Sequence, residues 1–212
     1  MDKVFSASAA WPDAPDGGGE MFVDLPATPC ELMDVREKLR LGARETVLLR
    51  VDEFYCFDFL APHLTETYDL SELNALAEKL SELEPEQATV LAGLVQMDEA
   101  KQADPIGLPR LIDLAYSTEC CHVVGEVLND TQLGRFCAEN GFVPGLDGLR
   151  DEVFDLLDFE RIGREHRQSE GGVLVERTAD HPGGYVERHS DLVQAYKEIN
   201  EQPEPGGMEM KF

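Results

Sequence analysis

From Asp69 onward the chain places Leu70, Leu73, Leu76, Ala77, Leu80 and Leu83 at the spacing of one helical face, with Glu72, Glu78, Lys79 and Glu82 on the others. Such a helix must bury its apolar stripe, so the chain has to build a core while keeping its carboxylates in water. Hydrophobic residues make up 42% of the sequence, enough for that core and too many for global disorder. At 212 residues there is room for one compact unit or for two to three small ones.

The pattern along the chain predicts an α+β fold, an elongated series of small modules. Residues 1–20 read as a flexible tail, because Trp11-Pro12 and Asp16-Gly17-Gly18-Gly19 are rich in breakers. Residues 21–68 read as a small α/β module. In it Thr28, Pro29 and Glu31 have the spacing of a capping box, and the helix they start should stop near Leu41-Gly42. Glu45 to Val51 is a strand candidate, and Glu53 to Phe59 fits a second extended stretch.

Residues 69–145 read as a mainly helical, acidic module. Pro85 suits the first turn of a second helix carrying Val90, Leu91, Leu94 and Val95, and Leu108 to Ala115 is a third after the breakers Pro105 and Gly107. Cys121 to Val124 reads as a short strand, and Asn129-Asp130 caps a helix that stops at Asn140-Gly141. Residues 146–200 read as an α+β module. It has helices over Leu149–Leu157 and Asp158–Gln168, then a hairpin from Gly172–Glu176 and Gly184–Glu187, then a final helix over Asp191–Asn200. Residues 201–212 read as a second flexible tail. No apolar run reaches the roughly 20 residues of a membrane helix, and the N-terminus lacks a secretion signal, so the cytoplasm is the expected location.

Charge narrows the function. The chain carries 43 Asp plus Glu against 18 Lys plus Arg, a formal net of −25. Between Asp52 and Asp104 there are 13 acids and 2 bases, whereas Phe159 to His189 holds 6 acids and 5 bases. A surface so acidic repels nucleic acid and anionic lipid and attracts basic surfaces, of which the largest on proteins are nucleic-acid grooves. At the charge density of duplex DNA, 25 net charges correspond to about 42 Å of helix axis, on the order of a dozen base pairs. Solvated acidity that only aids solubility passes the same test.

The residues that could carry chemistry are few. Cys30, Cys56, Cys120, Cys121 and Cys137 form no spaced framework and read as reduced, mostly buried thiols. Cys120-Cys121-His122 lacks the paired spacing of a zinc site, because adjacent residues point apart. His166, His181 and His189 read as surface or turn histidines, since a metal would need two of them to converge with a carboxylate. Arg161, Arg164 and Arg167 share a helix face, where pairing with Glu160, Glu165, Glu170 and other acids outweighs a phosphate site. Carboxylate pairs are too abundant to mark a general acid and base. We expect no enzyme activity, no metal and no cofactor. A hydrolase or metal-dependent enzyme built on the Cys, His and Asp residues is the competing class, and bound metal would reveal it.

Two blocks resemble one family. Val51-Asp52-Glu53-Phe54-Tyr55 leads to Ser71-Glu72-Leu73-Asn74-Ala75-Leu76-Ala77-Glu78-Lys79-Leu80, and Leu157-Asp158-Phe159-Glu160-Arg161-Ile162-Gly163-Arg164 precedes a closing hairpin at Gly171–Val186. In order and spacing these resemble the ArdA-type antirestriction proteins, over roughly residues 21 to 190. The N-terminal start and the stretch from Pro105 to Cys137 match that family only loosely.

The resemblance implies an elongated, dimeric mimic of bent B-form DNA that occupies the DNA groove of a Type I restriction-modification enzyme and is carried by mobile elements. It implies no bound nucleic acid and no membrane. The partner-binding acids expected on that reading are Asp52, Glu53, Asp58, Glu66, Asp69, Glu72, Glu78, Glu82, Glu84, Glu86, Asp98, Glu99, Asp151, Glu152 and Asp155. Asp158, Glu160 and Arg164 are expected at a module or dimer seam. An inhibitor or adaptor of another defence nuclease, such as a CRISPR effector, is the alternative that sequence barely separates from this one.

Overall fold

The structure is a computed structural model, and it describes residues 2–9, 21–39, 46–146 and 150–197, without the side chains of 151 and 152. Among the described residues the chain is α+β, with two antiparallel sheets and seven α-helices. No helix among them is long and apolar enough to cross a membrane.

The first sheet has the order β2-β1-β3-β4, with β1 at Phe5–Ala9, β2 at Met21–Leu25, β3 at Leu48–Phe54 and β4 at Thr67–Asp69. β1 corrects the expectation of a tail over residues 1–20. It is an inner strand, paired antiparallel with both β2 and β3, and Val4, Phe5, Ala7, Ser8 and Ala9 are buried. Its Ser-Ala composition hides it from propensity, because Ala and Ser are weak strand formers and what holds the segment extended is backbone pairing with a strand on each side. The Phe5 ring packs edge-on against Phe54 at 5.2 Å. Residues 10–20 and 198–212 lie outside the described residues.

Helix α1, Pro29–Lys38, starts as the sequence predicts. Thr28 accepts from Glu31 N, and the Glu31 carboxylate accepts from Thr28 N at 2.7 Å. It ends at Leu39 rather than at Leu41-Gly42, and those two residues lie outside the described set. The two extended stretches expected over residues 45–51 and 53–59 become one strand, β3. Past Phe54 the chain bends, Phe57 takes φ 61°, and a 3-10 turn at Asp58–Leu60 buries Phe57 and Leu60 together. That i, i+3 apolar pair is why extended structure stops there.

Three helices follow: α2 at Leu70–Ser81, α3 at Pro85–Glu99 and α4 at Leu108–Ala115. Leu70, Leu73, Leu76, Ala77 and Leu80 of α2 are buried on the expected face, and Asp69 caps the helix by accepting from Ser71 N at 2.8 Å. Helix α3 is buried on all sides from Ala88 to Val95, because it packs on both α4 and the second sheet. A Cβ on Gly93 would stand 2.9 Å from Val186, so glycine there lets the helix lie on the second sheet.

The second sheet has the order β5-β7-β6, with β5 at Cys121–Gly125, β6 at Val173–Val175 and β7 at Gly184–Arg188. The β6–β7 hairpin matches the sequence reading, and β5 adds itself antiparallel to β7. Helices α5 at Asp130–Glu139 and α7 at Phe159–Glu170 pack together, with the short α6 at Asp151–Phe154 between them in sequence. Thus β5 and α5, from the stretch read as a helical middle, pair with β7 and α7 of the closing segment. Of the helices expected over Leu149–Leu157 and Asp191–Asn200, the first is α6 at Asp151–Phe154 and the second is helical at residues 195–197 but not at 191–194, with 147–149 and 198–200 outside the described residues. One large core joins the first sheet, α2, α3, α4, Val175 and Val186, and a second cluster gathers Val127, Leu133, Cys137 and Tyr185 under α5.

Candidate acidic interaction surface

Most of the expected carboxylates are carried on well-formed elements, and the structure sorts them. Glu53 on β3, Asp58 in the 3-10 turn, Glu66 before β4, Glu82 after α2 and Glu86 in the first turn of α3 are exposed. Asp69 and Glu84 are helix caps, the latter paired with Gln87 in a capping box. Glu72 accepts from Tyr196 Oη at 2.5 Å, and Glu78 accepts from Asn74 Nδ2 at 2.9 Å. These two are half-buried and partly occupied by the fold. Asp52 is tied to Arg50 at 3.0 Å. Asp155 is exposed, with Arg135 3.9 Å away, and the side chains of Asp151 and Glu152 lie outside the described set.

Asp98 is a correction. It is only 8% exposed, held by Arg110 at 2.6 Å and Lys101 at 3.0 Å. Burial pushes its pKa up, but the hydrogen bonds and charges of Arg110 and Lys101 override that and hold it below the usual aspartate range. A carboxylate so occupied joins α3 to α4 and is not presented to a partner. Glu99, one residue on, stays exposed beside His63, with 3.2 Å between Oε1 and Nε2.

Two places concentrate charge. At the α2–α3 turn Glu78, Glu82, Glu84 and Glu86 follow one another within nine residues, and Gln87 Nε2 reaches across to Glu119 at 2.7 Å. Burial, then Glu82 and Glu78, raises the pKa of Tyr116, whose ring lies 5.1 Å from the Lys79 ammonium. The second place is a cleft before α4, where Glu66, Glu72 and Asp104 share the lining with His63 and Tyr68 and, among the described residues, with no lysine or arginine. Asp104 and Glu119 were not among the acids singled out on sequence. Each stands outside the helical runs of acid, and only the fold brings them to these places.

The arginines of α7 are neutralised within the fold. Arg161 pairs with Glu165 at 2.7 Å, Arg164 with Glu160, and Arg167 bidentately with Asp130 at 2.8 and 3.0 Å. Asp158 caps α7 by accepting from Arg161 N at 3.0 Å. Of the three residues expected at a seam, Asp158 therefore serves its own helix, and Glu160 and Arg164 form an exposed pair one turn apart. The packing contact that crosses between helices is Asp130–Arg167.

Among the described residues no three His, Cys, Asp or Glu side chains group as a metal site. All five thiols are free. Burial pushes Cys56, Cys121 and Cys137 up to about 11, away from nucleophilic use. His122 and His189 are exposed, with ring centroids 4.2 Å apart, and His166 Nε2 lies 3.4 Å from Glu187. His181, expected as a surface or turn residue, sits in the β6–β7 connection but is 4% exposed, packed edge-on against Phe59. Burial lowers its pKa. No family model matches the chain, and no curated protein matches it.

Proposed function

We propose that this chain is a protein decoy for duplex DNA, acting in the cytoplasm on the basic DNA groove of a restriction-modification enzyme of Type I. The kind of target comes from the resemblance of residues 51–80 and 157–186 to ArdA-type antirestriction proteins. One observation carries the physical part. Of the 12 acids from Asp52 to Glu99, only Asp52 and Asp98 have a lysine or arginine partner within 4.0 Å among the described residues. Apart from Glu99, which faces His63, the remaining charge is in no ion pair among the described residues. Much of it is fixed to strands, caps and helix turns, so a basic groove meets anions already in place. That preorganisation saves the ordering cost a flexible acidic tail incurs on binding.

A DNA-cleavage assay with a purified Type I enzyme tests the reading. The chain should block cleavage at low salt and lose potency as salt rises, as DNA binding itself does. A variant carrying Glu53→Gln, Asp58→Asn, Glu82→Gln and Glu86→Gln should remain folded and inhibit more weakly. These four are chosen because Glu72 and Glu78 hold internal hydrogen bonds, so neutralising them would mix stability with binding. Absence of inhibition at low salt, or inhibition indifferent to both salt and the variant, refutes it.

A further inference from the structure

The second sheet brings together two histidines that stand more than sixty residues apart in sequence. His122 faces Glu187 across the β5–β7 ladder, and His189 follows Glu187 by two residues, so all three share one face of the sheet. The ladder runs on past β7: His189 N donates to Cys120 O at 3.1 Å, which fixes its backbone beside the start of β5. The two imidazoles are therefore a diagonal cross-strand pair, within reach of each other by register. Their ring centroids are 4.2 Å apart with a 32° tilt, and both residues are exposed. Among the described residues neither ring takes a hydrogen bond or an ion pair.

We propose that His122 and His189 together bind one divalent transition-metal cation of the zinc class, which clips β5 to β7. Neutral imidazole is the commonest protein ligand for such ions and binds them through either ring nitrogen. Two ring nitrogens bound at about 2.0–2.1 Å in tetrahedral geometry lie roughly 3.3 Å apart. Tilted rings with centroids 4.2 Å apart, free to turn in water, need only a small opening to present that pair. Water fills the remaining positions. Glu187 accepts from Tyr185 Oη at 2.9 Å and stands 3.4 Å from His166 Nε2, so the described residues contribute two ligands rather than three. Magnesium and calcium prefer oxygen donors and gain little from imidazole. Copper(I) prefers thiolate, and Cys121 lies on the other face of β5, its thiol pushed up to about 11 by burial. Arg188 also lies on that other face, across from Cys121. The net charge of −25 draws divalent cations toward the surface, and the imidazole pair gives one a preferred place. Because β5 precedes α5 and β7 belongs to the closing hairpin, a bound cation cross-links distant parts of the chain and stabilises the folded state by mass action. The clip is independent of the decoy reading.

The test uses the full chain without an affinity tag, carrying Cys30→Ser to remove the exposed thiol as a rival ligand. Zinc is titrated in millimolar magnesium, which occupies carboxylates and leaves imidazoles free. In NMR spectra the ring resonances of His122 and His189 should shift together and saturate with one zinc per chain, and amide exchange along β5 should slow. His122→Gln and His189→Gln, both at exposed positions, should each keep a native spectrum and bind zinc at least about tenfold more weakly. His166→Gln, on α7, should bind zinc as the parent does. Rings that stay still, or that shift with separate midpoints, overturn the proposal. So does a His122→Gln or His189→Gln chain that binds as tightly as the parent, or a His166→Gln chain weakened as much as they are.

Discussion

Gly134 of α5 and Gly163 of α7 meet backbone to backbone: a Cβ on Gly134 would stand 1.8 Å from Phe159 O, and one on Gly163 would stand 1.9 Å from Asp130 O. Each would also fall within 2.8 Å of the other glycine's amide nitrogen. The obstacle is main chain, which cannot rotate aside as a side chain does. Gly163→Ala must therefore separate the helices and open the cluster of Leu133, Cys137 and Tyr185 beneath them. We expect Gly134→Ala or Gly163→Ala to cost ~3 kcal/mol, seen as a melting temperature lower by roughly 6–12 °C in a chain of this size. Calorimetry showing an unchanged transition would mean the helices do not approach this closely.

The same helix pair carries a pH dependence. The bidentate Arg167 hydrogen bonds lower the pKa of Asp130, against a smaller opposing effect of burial. A depressed carboxylate stabilises the fold fully above its unfolded value, near ~3.9, and the contribution is lost as pH falls through the lower folded value. Asp130→Asn should thus reduce stability by about 1.5–3 kcal/mol at pH 7, with the deficit shrinking below pH ~4. Urea unfolding of both proteins at pH 7 and at acid pH checks this; a deficit that persists undiminished in acid would assign the loss to packing instead.

The cysteines differ in reactivity for a reason visible in their surroundings. Cys30 lies exposed in the first turn of α1, whereas Cys56, Cys121 and Cys137 are pushed up to about 11 by burial and Cys120 is buried. At pH 8 a thiol of that pKa is only about one-thousandth thiolate. Brief treatment with iodoacetamide should therefore leave one adduct, at Cys30, by mass spectrometry. Equal labelling of Cys121 would show that β5 opens readily from β7.

Local signals were legible where one short segment contains the whole cause. Thr28 with Glu31, Asp69 before Leu70, Pro85, and Asn129 before Asp130 each announce a helix start, and each helix begins there. What needed a distant partner was hidden. Phe5–Ala9 is a strand because β2 and β3 flank it; Phe5, Ala7 and Ala9 do alternate with Ser6 and Ser8, but Ala and Ser are weak strand formers and the alternation alone is a faint signal. Asp98 reads as one more surface acid until Arg110, twelve residues away, folds onto it. His181 sits beside Pro182 and Gly183 in a turn, and only the Phe59 ring, more than a hundred residues earlier, shows that it is buried.

Salt dependence offers the sharpest separation of surface charge from internal charge. Each contact between a carboxylate and a groove cation that is lost should flatten the logarithmic salt slope by about one unit, by analogy with phosphate contacts. The variant at Glu53, Asp58, Glu82 and Glu86 removes up to four exposed charges, so its slope should fall by as much as about four while its melting temperature holds. Asp98→Asn removes the same kind of group, but from between Arg110 and Lys101. It should lower the melting temperature and leave the slope of inhibition unaltered, because that carboxylate is already spent inside the fold. Inhibition measured across 50–200 mM salt, the range over which ~3–5 decades are lost for a protein with six to ten phosphate contacts, checks both. Equal slopes for the wild type and the four-site variant would show that the exposed acids do not meet the target, whatever the total charge of the chain.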